Sequence, residues 1–129
     1  MSRTYALQIL YSLEVMASFN QGSLEVEIAK NLSNFEIPLD NIEFTTNLIL
    51  QTQNNIVELD KEIESKSSNW KVARMGLIDR NILRMALMEM KTGTATAVVI
   101  NEAIELAKEF GDGDSPSFVN GILDSLKLS

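Results

Sequence analysis

Apolar positions return along this chain at intervals of three and four, and no segment sustains the two-residue alternation of a half-buried strand. Between Ser2 and Ser18, Ala6, Ile9, Leu10, Leu13, Met16 and Ala17 make one face of a helix, while Leu7, Tyr11 and Val15 climb a second side. A helix with two apolar sides is either wrapped by neighbours or offers one side to a partner, and the pattern leaves both open. Ser23 is placed to cap a short helix carrying Leu24, Ile28 and Leu32, and Pro38 marks the start of the next. From Ile42 onward Thr45, Ile49, Thr52, Ile56, Leu59 and Ile63 keep a seven-residue repeat, the pattern of a long helix packed lengthwise in a bundle, about 30 Å long if it is unbroken.

A polar stretch, Ser65 to Asn69, interrupts this pattern. The spacing then predicts a helix over Leu77 to Lys91 with Leu83, Ala86, Leu87 and Met90 on one face, ended by Gly93 as a left-handed cap. Thr94 or Thr96 is placed to cap the following helix, whose Ile100, Ala103, Ile104, Ala107 and Phe110 form a further stripe stopped by Gly111. Ser115 and Pro116 suit a hydroxyl cap followed by proline at the first helical position, and the last helix would bury Val119, Ile122, Leu123 and Leu126. The expected fold is therefore all-α, six to seven helices in a single domain over residues 1–129, with a subdomain break near 65–70.

Composition removes most chemistry. There is no cysteine and no histidine, so thiolate nucleophiles, disulfides, the usual zinc sites and the side chain best suited to proton transfer near neutral pH are all missing. The expectation is a non-enzymatic protein with no cofactor and no metal. No apolar run is long enough for a membrane span, and the start of the chain lacks the shape of a secretory signal, so a cytoplasmic protein with no membrane partner is expected. The net charge of −7 is the wrong sign for a surface that attracts nucleic acid everywhere. It is unevenly spread, however: residues 71–91 hold five basic and two acidic side chains and form a basic island.

Within that island Arg80 and Arg84 stand four residues apart on one helix face, with Lys71 and Arg74 upstream. Like charges at this spacing repel unless an anion answers them. The arginines either pair with carboxylates of neighbouring helices or form a patch that contacts phosphates, for which guanidinium geometry is well suited. Tyr11 and Phe118 each flank the main stripe of their helix: both suit core packing, and if exposed both suit stacking on an unpaired base. Glu102, Glu105 and Glu109 read as a solvated face. The segment Gly111 to Ser115 spaces carboxylates like a calcium loop, but Leu123 stands where a bidentate Glu is required and Pro116 intrudes, so a helix connection is expected. Asp114 would there orient a bound ligand or temper its affinity.

Several strings, taken with their spacing, resemble the NusB family of bacterial transcription antitermination factors. They are Val99-Ile100-Asn101-Glu102-Ala103-Ile104-Glu105-Leu106-Ala107-Lys108, then Phe110-Gly111, Asp114-Ser115 and Phe118-Val119-Asn120-Gly121-Ile122-Leu123-Asp124. Upstream, the run from Asp79 to Glu89 and the string Ala6-Leu7-Gln8-Ile9-Leu10-Tyr11 fit as well. The resemblance implies two antiparallel three-helix bundles and an activity without catalysis. It implies pairing with the ribosomal protein that doubles as the factor NusE, and joint binding of boxA-type RNA in the transcription elongation complex, supporting ribosomal RNA synthesis.

By matching position, the resemblance assigns Arg3, Arg84 and Phe118 to the RNA surface, with Asp114 bordering it, and Tyr11 and Asp79 to the rim facing NusE; Arg80 joins the expected RNA set through the basic island. The family usually carries several arginines ahead of the Ala-Leu-Gln string, where this chain has Arg3 alone. The segment Thr94 to Ala97 also lacks the family's proline and lysine. With fewer phosphates engaged, RNA binding should be weaker and its salt dependence flatter, by about 0.7 in slope per phosphate on a single strand. A helical protein-interaction module with weak or nonspecific RNA binding is the alternative, and whether the chain forms a homodimer is left open by the sequence.

Overall fold

The computed structural model describes residues 2–15, 39–67 and 70–127. Among them are six α-helices: α1 (Ser2–Val15), α2 (Leu39–Asn54), α3 (Ile56–Lys66), α4 (Leu77–Lys91), α5 (Thr96–Phe110) and α6 (Ser115–Leu126). A single 3-10 turn, Val72–Arg74, precedes α4, and no strand occurs among the described residues. The short helix expected from Ser23, and the helix start expected at Pro38, lie outside the described residues.

Helix α4 is the axis of the fold. Every residue from Asn81 to Glu89 is buried, and α4 packs against α1, α2, α3, α5 and α6. On one side of it α1 and α2 pack on each other; on another α5 and α6 do the same, so two groups of helices share α4. The links after α4 and after α5 are too short for anything but reversal, so these three helices alternate in direction. The core is one continuous cluster that takes Leu7, Ile9 and Leu10 from α1, Ile49 from α2, Leu59 and Ile63 from α3, Ile82 and Leu83 from α4, Val99 from α5 and Leu123 from α6.

The reversals rest on two glycines that act differently. Gly93 takes a φ of 94°, a region that side-chain-bearing residues avoid, and lets the Thr94 amide reach back to the Glu89 carbonyl at 3.1 Å. Gly111 has ordinary backbone geometry but no room, since a Cβ there would lie 2.4 Å from the Ser115 hydroxyl oxygen.

Three local expectations are corrected. The long helix expected over Ile42 to Ile63 is broken into two helices that meet at Asn55. There φ is −116°, and the Asn55 side-chain amide donates to the Gln51 carbonyl at 2.8 Å while the Thr52 hydroxyl donates to the Leu48 carbonyl at 2.7 Å. Such side-chain bonds to the preceding turn bend a helix, yet Thr45, Ile49, Thr52, Leu59 and Ile63 stay buried across the bend, so the apolar period passes through it. Neither Thr94 nor Thr96 caps α5: the cap position is Ala95, without a side-chain bond. At α6 the capping carboxylate belongs to Asp112, which accepts from the amides of Asp114 (2.9 Å) and Ser115 (3.1 Å), while the Ser115 hydroxyl accepts from the Asp112 amide (3.0 Å). The cap position itself is Asp114, one residue before the serine the sequence suggests and without a side-chain bond of its own, and the reciprocal pair of Asp112 and Ser115 fixes the turn that leads into the helix.

Candidate functional site

Helices α1 and α4 run antiparallel and are stitched by charge at both ends. At the start of α1, Arg3 forms a forked pair with Glu89, with Nε to Oε2 at 2.9 Å and Nη2 to Oε1 at 2.8 Å. Glu89 is only 4% exposed, and Arg3 also lies over the Phe44 ring of α2 at 5.5 Å. The hydrogen bond to Glu89 is the main cause that raises the Arg3 pKa above its ordinary value.

At the other end Glu14 serves two guanidinium groups. One oxygen pairs with Arg80, and the other accepts from Asn81 at 2.9 Å and from Arg84 Nη1 at 3.1 Å. Arg84 is 7% exposed and turns its remaining edge to Asp60 of α3, with Nε to Oδ1 at 2.7 Å and Nη2 to Oδ2 at 2.9 Å. Burial alone would raise the Glu14 carboxyl, but the hydrogen bonds from Arg80 and Asn81 and the charges of Arg84 and Arg80 outweigh it, and the group titrates below its ordinary range. Burial likewise works against charge on Arg84, and Asp60 and Glu14 overcome it, so its pKa rises.

The positive surface expected around Arg80 and Arg84 is thus consumed by carboxylates from α1 and α3. Of the two readings the sequence left open for these side chains, the paired one describes their geometry. Arg3 lies at the far end of α4, where its partner Glu89 stands nine residues past Arg80, or about 13 Å along the helix axis. Lys91 pairs with Glu62. What the basic island retains as unpaired charge is Lys71 and Arg74, joined by Lys61 and Lys66 of α3; none of these four makes an ion pair among the described residues.

Phe118, on α6, is half-buried, and its ring makes a T-shaped contact with Trp70, centroids 5.7 Å apart at 73°. Asp114 is exposed just ahead of it. Trp70, half exposed at 51%, is the residue sequence reasoning passed over, because it sits in a polar stretch where no apolar period points to it. The signal that could have found it is a lone tryptophan beside unpaired lysines.

Between α1, the start of α4 and the end of α5, Leu7, Gln8, Tyr11, Ser12, Ile78 and Phe110 line a groove of 330 Å³. The second apolar side of α1 therefore changes character along its length: Leu7 is wrapped, whereas Tyr11 (38% exposed) and Val15 are open. Asp79, next to Ile78 in the first turn of α4, keeps one enclosed carboxylate oxygen with no hydrogen-bond partner among the described residues. Glu102, Glu105 and Glu109 belong to α5, where Glu102 and Glu105 stand in water together with Glu109.

A family model described as the NusB family matches residues 1–127. Transcription antitermination protein NusB of Geotalea daltonii is 40% identical over 133 residues, spanning 98% of this chain and 92% of the relative. NusB of T. maritima has the same fold, with a TM-score of 0.87 at 28% identity over 99% of this chain and 89% of that one. A chain in the crystal structure of antitermination factors NusB and NusE in complex with dsRNA is alike in fold, with a TM-score of 0.83 at 22% identity over 99% of this chain and 95% of that one.

Proposed function

The chain belongs to the NusB family, and from that premise we propose that it is a transcription antitermination factor that acts without catalysis, binding boxA-type RNA together with NusE in the cytoplasmic elongation complex. The observation that carries this reading is the family match along residues 1–127, at 40% identity to a relative named for antitermination. The fold it shares with a chain of a NusB and NusE complex on dsRNA supports the choice of partners.

In this reading NusE covers the apolar groove beside Tyr11 and Asp79, where an open aromatic and an unpartnered carboxylate oxygen lie close to apolar side chains. RNA meets Phe118 and Asp114 and, at separate points along α4, the partly exposed Arg3 and Arg80. The part of Arg84 is positional: enclosed between Asp60 and Glu14, it holds α1, α3 and α4 in register for the residues around them.

The protein-interaction module remains the competing reading, favoured by the net charge of −7 and by the neutralised arginines. Filter binding against a boxA-type and a scrambled RNA, with and without NusE, separates the two. Tighter binding of the boxA-type RNA when NusE is present is the expected result. Normal capture of NusE with no preference between the RNAs would favour the competing reading.

A further inference from the structure

In a chain with seven net negative charges, a polyanion is drawn most strongly to cations that no carboxylate neutralises. Among the described residues those are Lys61, Lys66, Lys71 and Arg74, and Trp70 lies in their midst. We infer that the exposed face of Trp70 is a stacking platform for an unpaired base of single-stranded RNA, with Lys71 and Arg74 contacting the flanking phosphates. The inference rests on the RNA-binding reading above and adds to it a residue and a substrate form.

The segment that carries Trp70 is held firmly. Its carbonyl accepts from the Ser67 hydroxyl at 2.7 Å, and its amide donates to the Ser67 carbonyl at 3.2 Å. Two residues on, the Val72 amide donates to the Glu64 carboxylate at 2.7 Å, and Arg80 Nη1 donates to the Met75 carbonyl at 3.0 Å. The indole is packed in a T-shaped contact with Phe118, and about half of the residue stays exposed. A large aromatic left half in water, on a turn pinned to α3 and α4, loses little freedom when a base stacks on it. The cations sit on the same pinned turn and on the end of α3, so backbone contacts and base stacking are available together, as binding of a single strand requires.

Trp70 is the sole tryptophan of the chain, so its emission reports the contact directly. The experiment titrates single-stranded boxA-type RNA into the complex with NusE, following indole fluorescence and, in parallel, filter binding, with the Trp70→Phe complex as the optical background. The expected result is quenching that saturates with RNA occupancy and an affinity loss of about 5- to 150-fold in Trp70→Ala. Trp70→Phe, which keeps an aromatic face, should recover most of that loss. The double variant Lys71→Gln/Arg74→Gln, which leaves the aromatic pair intact, should weaken binding and flatten its salt dependence by about 0.7 in slope for each phosphate released.

If filter binding retains the boxA preference while emission stays constant and the Trp70 variants bind within about twofold of wild type, the platform is refuted and the antitermination reading stands. If Trp70→Ala abolishes NusE capture but not RNA binding, the surface belongs to a protein and the inference fails. If the wild-type complex shows no RNA preference at all, the RNA reading falls and takes the platform with it.

Discussion

The two sides of α4 are held to it by different forces. Toward α5 and α6 the contact is apolar, built from Val99, Leu106, Ile122, Leu123 and their like, and it would be much the same at any pH. Toward α1 and α3 the apolar core is supplemented by two clusters of charge, Arg3 with Glu89 and the chain Arg80, Glu14, Arg84, Asp60. The apolar side is tolerant of direction and intolerant of lost volume. The charged side is the reverse, since each carboxylate must meet its guanidinium at hydrogen-bond geometry and small errors leave charge enclosed without compensation.

Five substitutions would sharpen or break that contrast. The largest effect is expected from Leu123→Ala on the apolar side, a fully buried residue whose loss should cost about 3–5 kcal/mol in denaturant unfolding, with little change in that cost between neutral and acid pH. On the charged side, Arg84→Ala should cost about 3 kcal/mol, because it strands Asp60 and Glu14 near the surface of the core. Arg84→Met should cost less, even though it too removes the charge, because it keeps most of the side-chain volume.

Glu14→Gln comes next and carries the pH signature. Its carboxyl is held below the ordinary value of 4.5 in the folded protein, so its stabilising contribution is complete above that value and is lost as the pH falls through the folded one. Thermal unfolding of the wild type should therefore steepen below about pH 4.5, and the Gln variant, less stable at pH 7, should show a shallower acid decline. A pair of parallel acid profiles would mean that Glu14 does not bind charge in the way the geometry implies. The smallest effect belongs to Lys108→Gln, whose exposed partner Glu105 lies 3.5 Å away: less than about 0.5 kcal/mol by the same measurement.

Much of the C-terminal half of the molecule was readable from residue order. The span Leu77–Lys91, the left-handed Gly93 and the buried set Val119, Ile122, Leu123 and Leu126 follow from local spacing and local backbone chemistry, which is information a short window contains. The bend at Asn55 escaped because the apolar period continues through it. Burial of Asn81, Arg84 and Glu89 escaped for a different reason. A polar side chain looks the same in a sequence whether it faces water or a carboxylate, and the partners of Arg84 stand 24 and 70 residues away. Asp112 reads from the sequence only as a calcium-loop carboxylate, and Ser115 beside Pro116 is so good a cap signal that it hides the hydrogen bonds Asp112 makes to the turn.

One carboxylate shared by two arginines also shapes how this chain can change over generations. A substitution at position 14 alters the surroundings of residues 80 and 84 at once, so the effects of changes at the three sites will not add. Drift through this corner must proceed by compensated sets, with an apolar residue at one site tolerated only after its opposite numbers have shed their charge.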